Sequence, residues 1–188
     1  MSTRSLICKE QQDGTYYGIY CHSDGYLTYN GAMLLDHYST PKRVDALLAL
    51  GDISSLGPII TPDPSLPHSF DYDKRQDDVV VAYGRDRGEK DIDAKVITLE
   101  TALGSWCEYM YIFGKDGKWR YYDLRDDEPE LRDVEEDLAS EYRQMGIERP
   151  EGIYGFFPPE RIAEIKNNSR KCINHSRKCN YGELLYAR

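Results

Sequence analysis

The stretch that decides the fold is SLICKEQQDGTYYGIYC, residues 5–21. Two strand-like runs, Ser5 to Glu10 and Thr15 to Cys21, flank the sequence QQDG, and an Asp-Gly pair between such runs is typical of a β-hairpin. The chain then passes through a second Asp-Gly turn in HSDGY. We predict an aromatic elbow from His22 to Asn30 where a site or an interface could be built.

Two short helices are predicted to follow the elbow. The first covers Asn30 to Tyr38, with Asn30 as its N-cap. The second covers Pro41 to Leu50, because Thr40 followed by Pro41 is typical of a helix start, and we expect Asp52 to Leu56 to add one more helical turn. Residues 57–77 contain four prolines and are predicted to form a long Pro-rich loop.

The second half of the chain mixes strands and helices. We predict a buried strand at Asp78 to Tyr83, a hairpin joined through GKDGK, and an amphipathic helix that Gly146 closes. The two hairpin strands are predicted at Trp106 to Phe113 and Lys118 to Leu124. The amphipathic helix is predicted at Glu130 to Met145, and two shorter helices at Ile97 to Leu103 and Pro159 to Lys166. The prediction is a single α+β domain over residues 1–188, with a mostly antiparallel sheet of about five strands and three or four helices.

Composition excludes some classes of protein. The 188 residues are 40% apolar and 30% charged, which fits one domain with a real core. No run of eighteen apolar residues is present, and the first residues lack the apolar region of a secretory signal. We therefore expect a cytoplasmic protein without a membrane segment, and the five cysteines are expected to be free thiols.

Charge is divided unevenly along the chain. The first 160 residues carry 17 basic and 31 acidic residues. An acidic helix attracts basic clefts, so we predict partner binding by the residues around it, although a solvated helix face is the alternative interpretation. The predicted partner-binding residues are Asp126, Asp127, Glu128, Glu130, Asp133, Glu135, Glu136 and Asp137.

The C-terminal segment, residues 161–188, is basic, with seven Lys and Arg against two acidic residues. Such a cluster can contact phosphates, which predicts weak DNA binding. Two alternatives remain: the segment packs on the acidic helix of its own chain, or it pairs two subunits into a homodimer. The residues in question are Lys166, Arg170, Lys171, Arg177 and Lys178.

A second candidate site combines the elbow with the sequence YGRDRGE, residues 83–89. Arg85 and Arg87 could clamp an anionic ligand or a nucleotide, with His22 and Tyr26 beside them, as in a sponge-like binding protein. The alternative is an internal network of arginine and acidic side chains. We expect no metal, no cofactor and no enzymatic activity, because no motif has adequate specificity: the C-x2-H-x3-C spacing from residue 172 lacks a fourth ligand.

Four segments of the sequence resemble those of a known group of proteins: MSTRSLI, CHSDGYLTYNGAMLLDHY, ALGDISSLG and YGRDRGE. They resemble a family of proteins from phages, prophages and plasmids of gut bacteria. The resemblance implies an inhibitor of type II CRISPR nucleases that acts in the bacterial cytoplasm by binding the CRISPR effector nuclease, its DNA, or both. It carries over no catalytic residue.

Overall fold

The protein is described here by a computed structural model that covers residues 2–146. These residues belong to one compact unit. The basic C-terminal segment and the predicted helix from Pro159 lie outside the described residues, so a single domain across the whole chain stays a prediction.

The predicted N-terminal hairpin is confirmed. Strand β1 (Ser5–Glu10) pairs antiparallel with β2 (Tyr16–Cys21). The turn closes through a hydrogen bond of 2.8 Å from the Gln11 N–H to the Thr15 carbonyl, and Gly14 adopts a φ of 84°. Glycine populates this left-handed region at little cost, which is why the Asp-Gly pair marks the turn.

The other strands of the described chain join this hairpin in one sheet of eight strands, in the order β4-β3-β2-β1-β6-β7-β8, with β5 also paired to β2. The pairs β1–β6 and β2–β3 are parallel, and the other five are antiparallel. The α+β class is confirmed, with more strands than predicted, because the missed strands have only two or three residues each. The strands after β2 are β3 (Ile53–Ser55), β4 (Val81–Ala82), β5 (Lys95–Ile97), β6 (Tyr109–Phe113), β7 (Trp119–Asp123) and β8 (Arg132–Asp133).

The described residues contain five α-helices, a π-helical turn at Leu27–Gly31 and a 3-10 turn at Tyr72–Lys74. The Thr40 hydroxyl caps the second helix by accepting from the Arg43 N–H. No helix in residues 2–146 has the length and apolarity needed to cross a membrane. The α-helices are α1 (Ala32–His37), α2 (Pro41–Leu48), α3 (Tyr83–Arg87), α4 (Leu99–Leu103) and α5 (Val134–Met145).

Two local predictions are wrong. Asn30 does not cap a helix: its side chain is fully buried and donates to the Ser5 hydroxyl at 3.1 Å. The predicted helical turn from Asp52 is strand β3, because the His22 N–H bonds to the Ile53 carbonyl and draws this segment into the sheet. The sequence YGRDRGE contains a short helix: Tyr83 starts α3, and Gly88 ends it with a φ of 75°.

The sheet has two covered faces. On one face, β7 reaches the helices: the Trp119 ring N–H donates to the Tyr38 carbonyl at 2.9 Å, and the Tyr121 hydroxyl to Asp137 of α5 at 2.8 Å. On the other face, Ala102 of α4 packs in a smaller core of buried residues. The members of this second core are Leu6, Cys8, Ile97, Ala102, Met110 and Ile112.

Two buried phenols predict a loss of stability in alkali. The hydroxyls of Tyr38 and Tyr111 donate to the carbonyls of Gly57 and Gly25, and both side chains are fully buried. Burial raises the pKa of each phenol well above its usual value of 10. The folded protein therefore keeps two protons that the unfolded chain releases above about pH 10, so stability is complete below that pH and falls as the pH rises through the next units.

These two phenols alone set a slope of about 2.7 kcal/mol per pH unit in the free energy of unfolding above pH 10. Urea denaturation at a series of pH values measures the slope. Replacing Tyr38 with Phe should remove about half of it. A free energy that stays level between pH 10 and 11 would contradict this prediction.

Candidate functional site

The predicted acidic residues are gathered at one end of the sheet, on the connection from β7 to β8 and on the first turns of α5. The carboxylate of Asp133 caps α5 by accepting from the N–H groups of Glu135 and Glu136 at 2.9 and 3.2 Å. Negative charge on the first turn is also attracted to the positive end of the helix dipole and stabilises the helix. The acidic residues therefore favour the start of α5 at this point of the chain.

The two arginines of residues 123–141 form ion pairs with acidic residues of the same segment. Arg125 pairs with Asp123 at 2.6 Å and lies over the Tyr109 ring, 4.7 Å from its centroid. Arg132 pairs with Asp126 at 2.7 Å. Because the segment holds ten acidic residues and only these two basic ones, it keeps a net charge of −8.

Crowding of the carboxylates is visible at Glu141. Burial raises the pKa of Glu141 above its usual value, and the neighbouring charge of Asp137 raises it further. Asp137 itself accepts from the Tyr121 hydroxyl and so has a structural role. The remaining exposed members form what we call the acidic surface: Asp127, Glu128, Glu130, Glu135 and Glu136.

The second candidate site has a different arrangement from the expected anion clamp. The Arg85 guanidinium contacts both carboxylate oxygens of Asp86, at 2.6 and 2.8 Å, and donates to the carbonyls of Ile60 and Val80. Asp86 also lies 3.3 Å from the His68 ring. This geometry matches the alternative interpretation, an internal arginine–acid network.

The other three residues of that site have separate neighbours. Arg87 pairs with Glu89 at 3.0 Å and lies over the Phe70 ring. The His22 ring bonds to the Tyr20 hydroxyl at 2.8 Å, and the Tyr26 ring contacts Tyr29. Within residues 2–146 no hydrogen bond, ion pair or ring contact joins His22 or Tyr26 to either arginine. Binding of an anionic ligand by these four residues stays a prediction.

An open surface groove of about 570 Å³ lies between α2, β2 and the residues just before β5. A smaller cavity, about 80 Å³, lies beside Trp119 and Glu135. Neither is lined by the four residues of the predicted ligand site. The groove is lined by Gln11, Tyr17, Asp45, Leu48, Ala49, Asp93 and Ala94.

Cysteine chemistry is limited in the part of the chain that is described. Cys8, Cys21 and Cys107 are free thiols. Burial raises the pKa of Cys21 to about 11, which keeps it protonated and unreactive at neutral pH. Among residues 2–146 no group of three or more His, Cys, Asp or Glu side chains could hold a metal ion. The Cys172, His175 and Cys179 spacing lies outside the described residues.

Sequence reasoning missed the contact between His68 and Asp86. They are 18 residues apart, and their side chains are only 4% and 3% exposed. Asp86 belongs to YGRDRGE, where the alternative interpretation was a network of arginine and acidic side chains without a histidine, and His68 lies in the Pro-rich loop, where no site residue was predicted. A charged residue that is nearly fully buried must be paired, but burial could not be predicted for a segment without periodicity.

Comparisons with models of protein families, with curated proteins and with solved structures found no match to this chain.

Proposed function

We propose that this chain is a mobile-element-encoded inhibitor of a host defence nuclease of the type II CRISPR class, and that it acts by binding without catalysis. The observation that supports the proposal is the acidic surface. Its five carboxylates project from one end of the sheet, and the two arginines of the same segment already pair with other acids. The resemblance of the N-terminal block and of YGRDRGE supplies the class of target.

Physical chemistry links this surface to such a target. A nuclease that holds an RNA–DNA heteroduplex needs a positively charged channel. An acidic protein surface is complementary to that channel and competes with phosphates for the same basic side chains. The main effect of such complementarity is faster association, by 10-fold to 1,000-fold, with a steep dependence on salt.

The basic C-terminal segment has a separate role in this proposal. Its lysines and arginines contact DNA outside the channel that the acidic surface occupies, so that the chain binds both the nuclease and its DNA. The chain as a whole carries a net charge of −9, and this negative charge keeps the protein from binding free DNA tightly.

The test removes the negative charges of the acidic surface and keeps the size and shape of its side chains. A variant with Asp127→Asn, Glu128→Gln, Glu130→Gln, Glu135→Gln and Glu136→Gln loses five charges from exposed side chains. We expect its association rate with guide-loaded type II effector nucleases at low salt to fall about 10-fold or more, and inhibition of DNA cleavage to weaken accordingly. Surface plasmon resonance at two salt concentrations and a cleavage assay make the measurement.

The matched control loses five charges elsewhere, through Asp71→Asn, Asp73→Asn, Asp91→Asn, Asp93→Asn and Glu100→Gln, all at exposed positions. It keeps the acidic surface and should associate at a rate close to that of the natural chain. If both variants lose the same fraction of the rate, only net charge matters and the surface has no special role. If the natural chain neither binds nor inhibits any effector of a type II panel, the proposed function is wrong.

A further inference from the structure

The Pro-rich loop lies along the edge of the sheet. Ile59 forms a parallel bridge with Val79, next to edge strand β4. The Val80 N–H donates to the Ile59 carbonyl at 2.8 Å, and the Ile59 N–H to the Asp78 carbonyl at 3.1 Å. An open edge of consecutive valines would be a template for pairing with another chain, so a segment that covers it prevents edge-to-edge association. We call residues 59–77 the strap.

A buried polar cluster holds the strap to α3. The Asp86 carboxylate accepts from the Ala82 N–H at 2.8 Å, from Arg85 at 2.6 Å and lies 3.3 Å from the His68 Nε2 atom of the strap. The Arg85 guanidinium reaches the strap directly through its bond of 2.6 Å to the Ile60 carbonyl. Asp86 therefore binds His68 of the strap directly and positions Arg85, which binds Ile60 of the strap.

The hydrogen bonds favour one tautomer of His68. The Gln76 N–H donates to Nδ1 at 3.1 Å, so Nδ1 is an acceptor and the Nε2–H is the donor to Asp86. The Arg85 Nη2 atom lies 3.3 Å from the same Nε2 atom and also donates to Asp86. His68 thus links the far end of the strap, at Gln76, to the carboxylate on α3.

The strap is also braced within itself. The Gln76 side-chain amide accepts from the Asp63 N–H at 2.8 Å and donates to the Asp63 and Leu66 carbonyls at 2.9 and 3.1 Å. These internal bonds make residues 63–76 one compact loop. Phe70 connects that loop to α3: its N–H donates to the Asp86 carbonyl at 3.1 Å, and its ring stacks on Tyr83.

Apolar burial contributes little to this attachment. No residue of the strap is buried as a whole, whereas the valines it covers, Val79 to Val81, are. Segments with few buried apolar contacts open locally at a small fraction of the free energy of global unfolding. The attachment of the strap therefore depends on the Asp86 cluster more than on a hydrophobic contact.

We propose that the strap is a releasable cover of the β4 edge: residues 59–77 open as one unit, and the buried contact of Asp86 with His68 and Arg85 is the fastening that keeps them closed. The open form exposes the backbone of Val79 to Val81. This inference is independent of the proposed function, since it concerns the opposite edge of the sheet from the acidic surface.

Hydrogen exchange of the full chain tests the proposal at two reporter amides, Ile59 and Phe70, which bond to Asp78 and Asp86. Asp86→Asn replaces the carboxylate that faces Ala82, His68 and Arg85 with a neutral amide, whose NH2 group cannot accept a hydrogen bond. We expect both amides to exchange about 100-fold faster, the size expected when hydrogen bonds to a charged group are lost, and to accelerate together. Amides of β1 and β6 should keep their rates.

Asp71→Asn is the matched control, because Asp71 lies in the strap but pairs with Lys74 at the exposed surface. Its reporter amides should exchange at the natural rate. His68→Ala is a second variant that removes the fastening from the strap side, and it decides the matter if Asp86→Asn does not fold. Unchanged reporter rates in the folded variants, or acceleration only in step with β1 and β6, would overturn the proposal.

Discussion

Replacement of Trp119 with Ala is expected to lower the free energy of unfolding by about 3–5 kcal/mol. The side chain is 2% exposed, and its ring packs on Phe113 with centroids 5.2 Å apart. Its ring N–H donates to the Tyr38 carbonyl at the end of α1. The substitution therefore removes a large apolar contact and leaves a buried carbonyl without its partner.

Chemical denaturation followed by circular dichroism measures this loss. The two tryptophans also give a spectroscopic check, since Trp106 is 87% exposed and is the one that remains. Emission of the folded variant should shift to longer wavelength, because only a solvated indole is left. Trp106→Ala is the control and should change stability by no more than about 0.5 kcal/mol. Equal losses from the two substitutions would contradict the burial pattern described here.

Replacement of Leu138 with Ala should cost about 2–5 kcal/mol, since deletion of a fully buried leucine leaves a cavity. Leu138 is the centre of the apolar side of α5, between Val134 and Tyr142, and all three are buried. The consequence reaches the acidic surface, because Glu135 and Glu136 are held in place by the same helix. Partner binding should weaken together with the protection of the α5 amides from hydrogen exchange.

Leu131→Ala is the matched control for Leu138→Ala. Leu131 is the same residue type, lies three residues before the first residue of α5 and is 46% exposed. Its loss should change the free energy of unfolding by less than about 0.5 kcal/mol. Urea denaturation of both variants gives the comparison. If the two substitutions cost the same, α5 is not attached to the sheet by its apolar side.

The acidic surface and the strap are at opposite edges of one sheet, so substitutions in one are not expected to affect the other. Neutralising the acidic surface leaves β4 and the strap untouched. Releasing the strap leaves β7, β8 and α5 untouched. Distant sites of this kind contribute additively to stability, so a combined variant should show the sum of the two separate effects.

Local chemistry was enough to predict several elements. The Asp-Gly turn predicted the β1–β2 hairpin, and the Thr40-Pro41 pair predicted the start of α2. Gly146 was predicted to close α5, and it does so with a φ of 66°. Each of these depends on the conformational preferences of residues close together in the chain, which the sequence alone reveals.

Pairings between distant segments could not be predicted in the same way. Parallel pairing of β1 with β6 joins residues about 100 positions apart, as Ser5 with Tyr109. The segment from Asp52 was predicted to be helical but becomes β3, because β2 supplies it with backbone hydrogen bonds. Short strands of two or three residues are too brief to show a period, so tertiary contacts decide them.

The candidate sites divide along the same line. The sequence by itself determined the acidic surface, because charge density along a chain survives folding, and the structure only selected which five carboxylates are exposed. Tertiary structure alone decided the role of Asp86: its carboxylate is 3% exposed and contacts both the Arg85 guanidinium and the His68 ring, because a charge that is buried needs a partner. Burial depends on what packs over a residue, and His68, which packs against Asp86, comes from 18 positions earlier in the chain.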